Sequence, residues 1–210
     1  MRSWVFALII GAFTSLAFAQ EVKVALKDTS AASSPLLLSG TVVSDASGSR
    51  LTLTAKNVGA KQIIAYFAEM NAFGDVSWLS HDYFFLPFVI EPGDVVEVDS
   101  LDSEVFLGPA HHPPEAWVLY VQFTDGTTWG DKAFGKKISA RRPKEIAFLE
   151  KLLSAYENQG ESVFLDYLRT ETDPDLHVCD FQAQSGTPAA LDCVKERLNS
   201  AQASLAAGVH

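Results

Sequence analysis

Residues 116–131 read "AWVLYVQFTDGTTWGD". Trp117, Leu119, Val121 and Phe123 fall on one side of an extended chain, and Val118, Tyr120, Gln122 and Thr124 on the other, because successive strand side chains point to opposite faces. Asp125-Gly126 is the dipeptide that a two-residue hairpin prefers, since its backbone twist matches that of the flanking strands. The segment therefore predicts two antiparallel strands joined at Asp125-Gly126. It also sets the period of two with which its neighbours are read.

Upstream, "RLTLTAKN" (50–57) alternates Leu51, Leu53 and Ala55 with Thr52, Thr54 and Lys56, the pattern of a half-buried strand. "NVGAK" follows as a turn, because Asn and Gly tolerate backbone conformations closed to other residues. "QIIAYFAEM" (62–70) is a longer apolar run that suits a central strand. "DYFFLPFVI" (82–90) predicts another strand, with Pro87 placing it at an edge or a bulge. "EPGD" (91–94) is a turn, and "VVEV" (95–98) alternates again. "EVKVALKD" (21–28) alternates too, and either adds a strand or forms a lead-in over 20–39. About seven strands in a hundred residues, separated by turn signals, predict an antiparallel β-sandwich over 40–138.

After "GKKISARRP" the period changes. Ile146, Leu149, Leu153 and Tyr156, flanked by Phe148 and Leu152, repeat at helical spacing, with Pro143 in the first turn. A second helix is expected over 161–170 and a polar connector over 171–188. A last helix is capped by Thr187 with Pro188 at its first position, and its stripe is Leu191, Val194, Leu198 and Leu205. The expected fold is thus mainly β, a sandwich followed by a helical region over 139–210.

The N-terminus predicts export. Met1-Arg2, an uncharged apolar run over residues 4–18, and small residues at Ala17 and Ala19 form a secretory signal cleaved after Ala19. The run is shorter than the roughly 20 residues that span a bilayer, and no second such run follows. Loss of Arg2 leaves 15 Lys and Arg against 26 Asp and Glu. Such acidity disfavours nucleic acid and anionic membrane surfaces as partners. The expected location is secreted or periplasmic. Cys179 and Cys193 are the only cysteines; in an exported chain they predict a disulfide, free thiols or a metal pair being the alternatives.

"LTLTAKNVGAKQIIAYFAEM", "IEPGDVVEV" and "VLYVQFTDGTTWGD" together resemble the immunoglobulin-like or fibronectin-III-like sandwich domains of exported bacterial proteins. The resemblance covers about residues 40–135. It rests on a K-N-x-G-x-K-x-I turn, a P-G turn before a strand and a D-G hairpin. It implies architecture rather than activity, since many functions sit on such sandwiches.

For chemistry, the histidine pair in "GPAHHPPE" (108–115) stands out. Pro113 holds His112 extended, so His111 and His112 point to opposite sides. His112 and Glu115 share a face of a polyproline-like segment, but at about 3.1 Å per residue they lie roughly 9 Å apart. Zinc needs three or four ligands at about 2 Å, so this loop closes a site only with His81, Asp82 or His177. "DVSWLSHDYFFLPF" (75–88) offers an aromatic platform for a sugar or peptide; the plainer reading is core packing. Trp78 and Trp129, both beside turns, are the tryptophans expected to be partly exposed. No G-x-S-x-G, H-E-x-x-H, Walker, G-x-G-x-x-G, C-x-x-C or EF-hand pattern occurs.

The sequence therefore favours an exported, non-enzymatic binding or assembly protein of the cell envelope, without a cofactor, whose partner is a protein or glycan. The ligand-surface candidates are Trp78, His81, His111, His112 and Trp129. A hydrolase with His81, Asp82, His111 and Glu115 converging on loops is the alternative. A module presenting its loops to a partner protein, as an inhibitor does, is a third reading.

Overall fold

The computed structural model of the chain describes residues 22–45, 48–72, 75–103, 113–170 and 179–210. The signal segment, His111, His112 and His177 lie outside the described residues. Among the described residues nine strands precede the α-helices in the order β1 (Val22–Ala25), β2 (Lys27–Asp28), β3 (Leu36–Asp45), β4 (Gly48–Asn57), β5 (Ile63–Ala72), β6 (Asp75–Asp82), β7 (Val95–Ser103), β8 (Glu115–Phe123) and β9 (Thr128–Gly130). They form two sheets. One has the order β1-β3-β4-β7; the other is β2-β8-β5-β6, with β9 added to β8. The β2–β8 pair is parallel, so the second sheet is mixed, not antiparallel throughout as expected. The lead-in belongs to the strands: β1 pairs with β3 in the first sheet and β2 with β8 in the second.

Strand β4 follows its sequence pattern closely. Leu51, Leu53 and Ala55 are fully buried while Arg50 and Lys56 are exposed. Strand β8 does not. Tyr120 pairs with Phe67 and Val118 with Ala68, so Leu119 is an extra residue on β8. A single inserted residue exchanges the two faces of a period-two strand. Before it, Ala116 and Val118 enter the main core; after it, Val121 and Phe123 do. The uninterrupted face Trp117-Leu119-Val121-Phe123 is therefore corrected. The hairpin at Asp125-Gly126 forms, but residues 124–127 separate its strands instead of two. Asp125 Oδ1 accepts hydrogen bonds from Thr127 N (3.0 Å) and Thr127 Oγ1 (2.5 Å), which holds the longer loop.

The expected strand over 82–90 is one turn of 3₁₀ helix (Tyr83–Phe85) followed by turns. Asp82 ends β6 by accepting from Phe84 N at 3.2 Å, which bends the chain and buries Tyr83, Phe84 and Phe85 together. Ile90 alone returns to pair with Ile63.

The helices are α1 (Lys132–Gln159), α2 (Glu161–Thr170), α3 (Asp180–Ala183) and α4 (Thr187–Ala206). Helix α1 begins at Lys132, well before the expected start, because Asp131 caps it by accepting from Ala133 N at 2.8 Å. Pro143 consequently lies inside the helix instead of its first turn. The buried face is Glu145, Phe148, Leu149, Leu152 and Ala155, with Tyr156 exposed. In α4 the cap position is Gly186, and Thr187 is the first helical residue. The Thr187 hydroxyl instead donates to the Glu161 carboxylate, tying α4 to the start of α2. Leu191, Val194 and Leu198 are buried as expected; Leu205 is exposed.

Cys179 and Cys193 form a disulfide, joining the residue before α3 to the middle of α4. One buried cluster contains Leu51 and Leu53 of the first sheet, Tyr66 and Val118 of the second, and Leu152, Phe164 and Val194 of the helices. With helices of 28 and 20 residues, the fold is not mainly β but sheets and helices in comparable measure. Among the described residues no helix is long and apolar enough to cross a membrane.

Candidate functional site

Strand β5 is interior to the second sheet and is covered on both sides. Its Tyr66, Ala68 and Met70 enter the main cluster. Ala65 and Phe67 face the other way and form a second, smaller cluster with Tyr120 of β8 and Ile138 of α1. Helix α1 therefore lies over the outer face of this sheet. Gly135 permits the close approach: a Cβ there would stand 2.6 Å from the Tyr120 ring.

At the N-terminal end of α1 the cover stops, and an aromatic rim emerges. Trp78 of β6 is 54% exposed. Its ring meets Phe67 edge-on with centroids 5.3 Å apart and Phe134 of α1 at 5.8 Å. Phe67 and Phe134 stack at 4.5 Å. The Lys137 ammonium stands 5.0, 5.5 and 5.9 Å from the centroids of Phe134, Trp78 and Phe67, within cation–π range of all three. The exposed Trp78, the half-buried Phe134 and one cation, backed by the buried Phe67 ring, can take up an apolar or sugar face next to a negative group. The rim is fixed by elements rather than loops: β6 alternates exposed Val76, Trp78 and Ser80 with buried Leu79, and the first turns of α1 supply Phe134 and Lys137.

His81 and Asp82 do not act as a pair. His81 stacks on Tyr66 at 5.1 Å and lies 6.1 Å from Tyr83, on the inner side of β6. Burial raises the Tyr83 pKa, against a smaller lowering by its hydrogen bond with Tyr66. Asp82 points to the helix side, where Arg142 Nε and Nη2 donate to Oδ2 and Oδ1, both at 2.9 Å. Arg142 Nη2 also donates to Gln122 Oε1 (2.8 Å), and Nη1 to the main-chain oxygen of His210 (3.0 Å). Both charged side chains are buried, at 3% and 0% exposure. One turn on, Arg197 of α4 donates to Glu145. Burial raises the Glu145 pKa, against lowering by Arg197 and Arg141. This ladder of buried ion pairs locks α1 between sheet and α4, and a carboxylate held bidentately by arginine is not a free base.

The remaining candidates scatter. Trp129 is half-buried and packs on the main cluster, apart from the Trp78 rim. Glu115 accepts from Lys27 Nζ at 2.8 Å. It pairs in register with Asn71, and His81 with Tyr66; five residues of strand separate these positions by about 16 Å. Among the described residues no group of three or more His, Cys, Asp or Glu is placed to hold a metal ion.

Sequence reasoning named Trp78 but missed Phe67, Phe134 and Lys137. The available signal was "KAFGKKISARRPK" (132–144), a purely basic stretch in an acidic chain. No protein-family model, curated protein sequence or solved structure matches this chain.

Proposed function

We propose that the protein is an exported, non-enzymatic binding or assembly protein of the cell envelope, and that it binds through the rim of Trp78, Phe67, Phe134 and Lys137. The observation that carries this reading is Trp78, more than half exposed yet held in place by two rings and a lysine. A rigid aromatic side chain left open to solvent is a costly feature for a core and a useful one for recognition. The apolar run of residues 4–18 and the small residues before position 20 support export. The two sheets, sharing one buried cluster, support an Ig-like sandwich on which the helices pack.

The hydrolase reading has less support. Its Asp82 is committed to Arg142, and its Glu115 lies far from His81 along the sheet.

The test is retention of the purified mature protein by isolated cell-envelope material. Trp78→Ala is expected to weaken retention by roughly tenfold or more, the loss of a central aromatic anchor. His81→Ala should leave it unchanged. Equal retention of the wild type and Trp78→Ala would overturn the reading, as would turnover of a substrate that His81→Ala abolishes.

A further inference from the structure

The edges of the two sheets are not protected alike. Exposed strand edges present unpaired N–H and C=O groups and are normally blunted by brevity, charge, bulges or cover. Strand β1 has four residues, β2 two and β9 three. Strand β7 is longer, but it carries exposed Glu97 and is bulged opposite Leu53/Thr54. Strand β6 is not short, no bulge interrupts its pairing with β5, and its acidic residues are confined to its two ends, Asp75 and Asp82. Its eight residues pair, among the described residues, with β5 alone. Between Asp75 and Asp82 it reads Val-Ser-Trp-Leu-Ser-His, with no charge, glycine or proline. Val76 and Trp78 on its outer side are 53% and 54% exposed.

The ground beside this edge is positive. Residues 132–144 hold six Lys and Arg and no acid, in a chain of net charge −10. Arg142 is neutralised by Asp82, but Lys132, Lys136, Lys137 and Lys144 are exposed, and Lys137 reaches the Trp78 ring itself. Among the described side chains the opposing acids nearby are Asp131, which caps α1, and Glu69, half-buried opposite Trp78 in register. Four exposed lysines outnumber them.

We propose that β6 accepts an extended acidic peptide segment as an added strand, its apolar side chains resting on Val76 and Trp78 and its carboxylates facing Lys137 and the neighbouring lysines of α1. Main-chain hydrogen bonds to the open edge supply affinity, and alternate side chains supply selectivity. An apolar–acidic alternation fits, because every second residue of the added strand meets the rim. This rests on the binding role proposed above and gives that role its partner class.

The probe is a labelled synthetic peptide of about ten residues, longer than a typical strand, alternating phenylalanine or valine with glutamate, followed by fluorescence anisotropy. Two companions accompany it: one with lysine for glutamate, and one with proline at alternate positions, which cannot pair as a strand. The acidic peptide should bind the wild type, and binding should weaken roughly tenfold or more in Trp78→Ala. Lys137→Glu and a rise from about 50 to about 500 mM salt should each weaken it as well, since exposed charges are screened over shorter distances. The lysine and proline peptides should bind far more weakly. Equal binding of the proline peptide, or no binding of the acidic one, overturns strand addition. So does binding only of sodium polygalacturonate, which would make the face a polyanion site. If the peptide fails while Trp78→Ala still abolishes envelope retention, strand addition falls and the rim stands. If Trp78→Ala leaves retention unchanged, the binding role itself falls.

Discussion

At the residue scale, single side chains decide where segments meet. Asn57 is fully buried at the end of β4. Its Nδ2 donates to the carbonyls of Lys61 and Ile90, both at 2.8 Å, and its Oδ1 accepts from Gly59 N at 2.9 Å. The "NVGAK" turn was legible from composition, but for a different reason: the Asn side chain, not a tolerant backbone, builds it. Gly135 shows the converse, an interior helical glycine whose purpose no sequence pattern reveals. Its partner, the Tyr120 ring, is 120-series strand sequence brought near only by the fold. Alanine favours helix over glycine by about 1 kcal/mol, yet a Cβ here would meet a ring that is 3% exposed and walled in. Gly135→Ala is therefore expected to lower stability by about 1–3 kcal/mol, the usual cost of overpacking. Urea denaturation measures this; a variant as stable as the wild type would contradict the close packing of α1 on β8.

At the scale of elements, regular strands were readable and the irregular ones were not. Strand β4 kept its period, whereas the Leu119 bulge in β8 follows from pairing with β5, which no local pattern encodes. The segment after Asp82 is apolar enough for a strand, but a capping carboxylate turns it into a 3₁₀ turn. Helix α1 was seen only from its apolar second half. Its first half rests on Tyr120, Phe67 and the Asp82–Arg142 pair, contacts supplied by another element. The rim is hidden for the same reason, since Phe134 and Lys137 of α1 lie far in sequence from Phe67 and Trp78 of the β5–β6 pair. The disulfide, by contrast, was legible from the cysteine count together with the expected export. It closes a loop of about 15 residues and contributes roughly 3 kcal/mol in the chain-entropy estimate. Reduction is expected to lower the melting temperature by about 5–12 °C, read by circular dichroism with and without reductant. An unchanged melting temperature would show that α3 and α4 hold without it.

At the scale of the whole molecule, buried ion pairs join sheet and helices, and such pairs carry a desolvation cost. Glu145 shows it. Burial raises its pKa despite Arg197 and Arg141, with Asp82 adding to the rise. Its neutral form is thus favoured by the fold. The stability it contributes is complete below the ordinary carboxylate value and is lost as pH rises through the raised value. The wild type should therefore lose melting temperature relative to Glu145→Gln as pH rises above the ordinary carboxylate value; a difference independent of pH would refute this. Exposed Asp125 has the opposite sign. A hydrogen bond from Lys61, helped by Thr127, lowers its pKa to about 2, so its contribution is lost as pH falls from the ordinary value towards 2.

Where α1 meets β6, Trp78 is left more than half exposed, and the proposed binding role depends on its use. Hydrogen–deuterium exchange of the purified protein, with and without isolated envelope material, tests this most directly. New protection is expected over residues 75–82 and around Phe134–Lys137. Protection confined to the Tyr83–Asp94 or Glu115–Gly130 segments, or no protection anywhere, would contradict it.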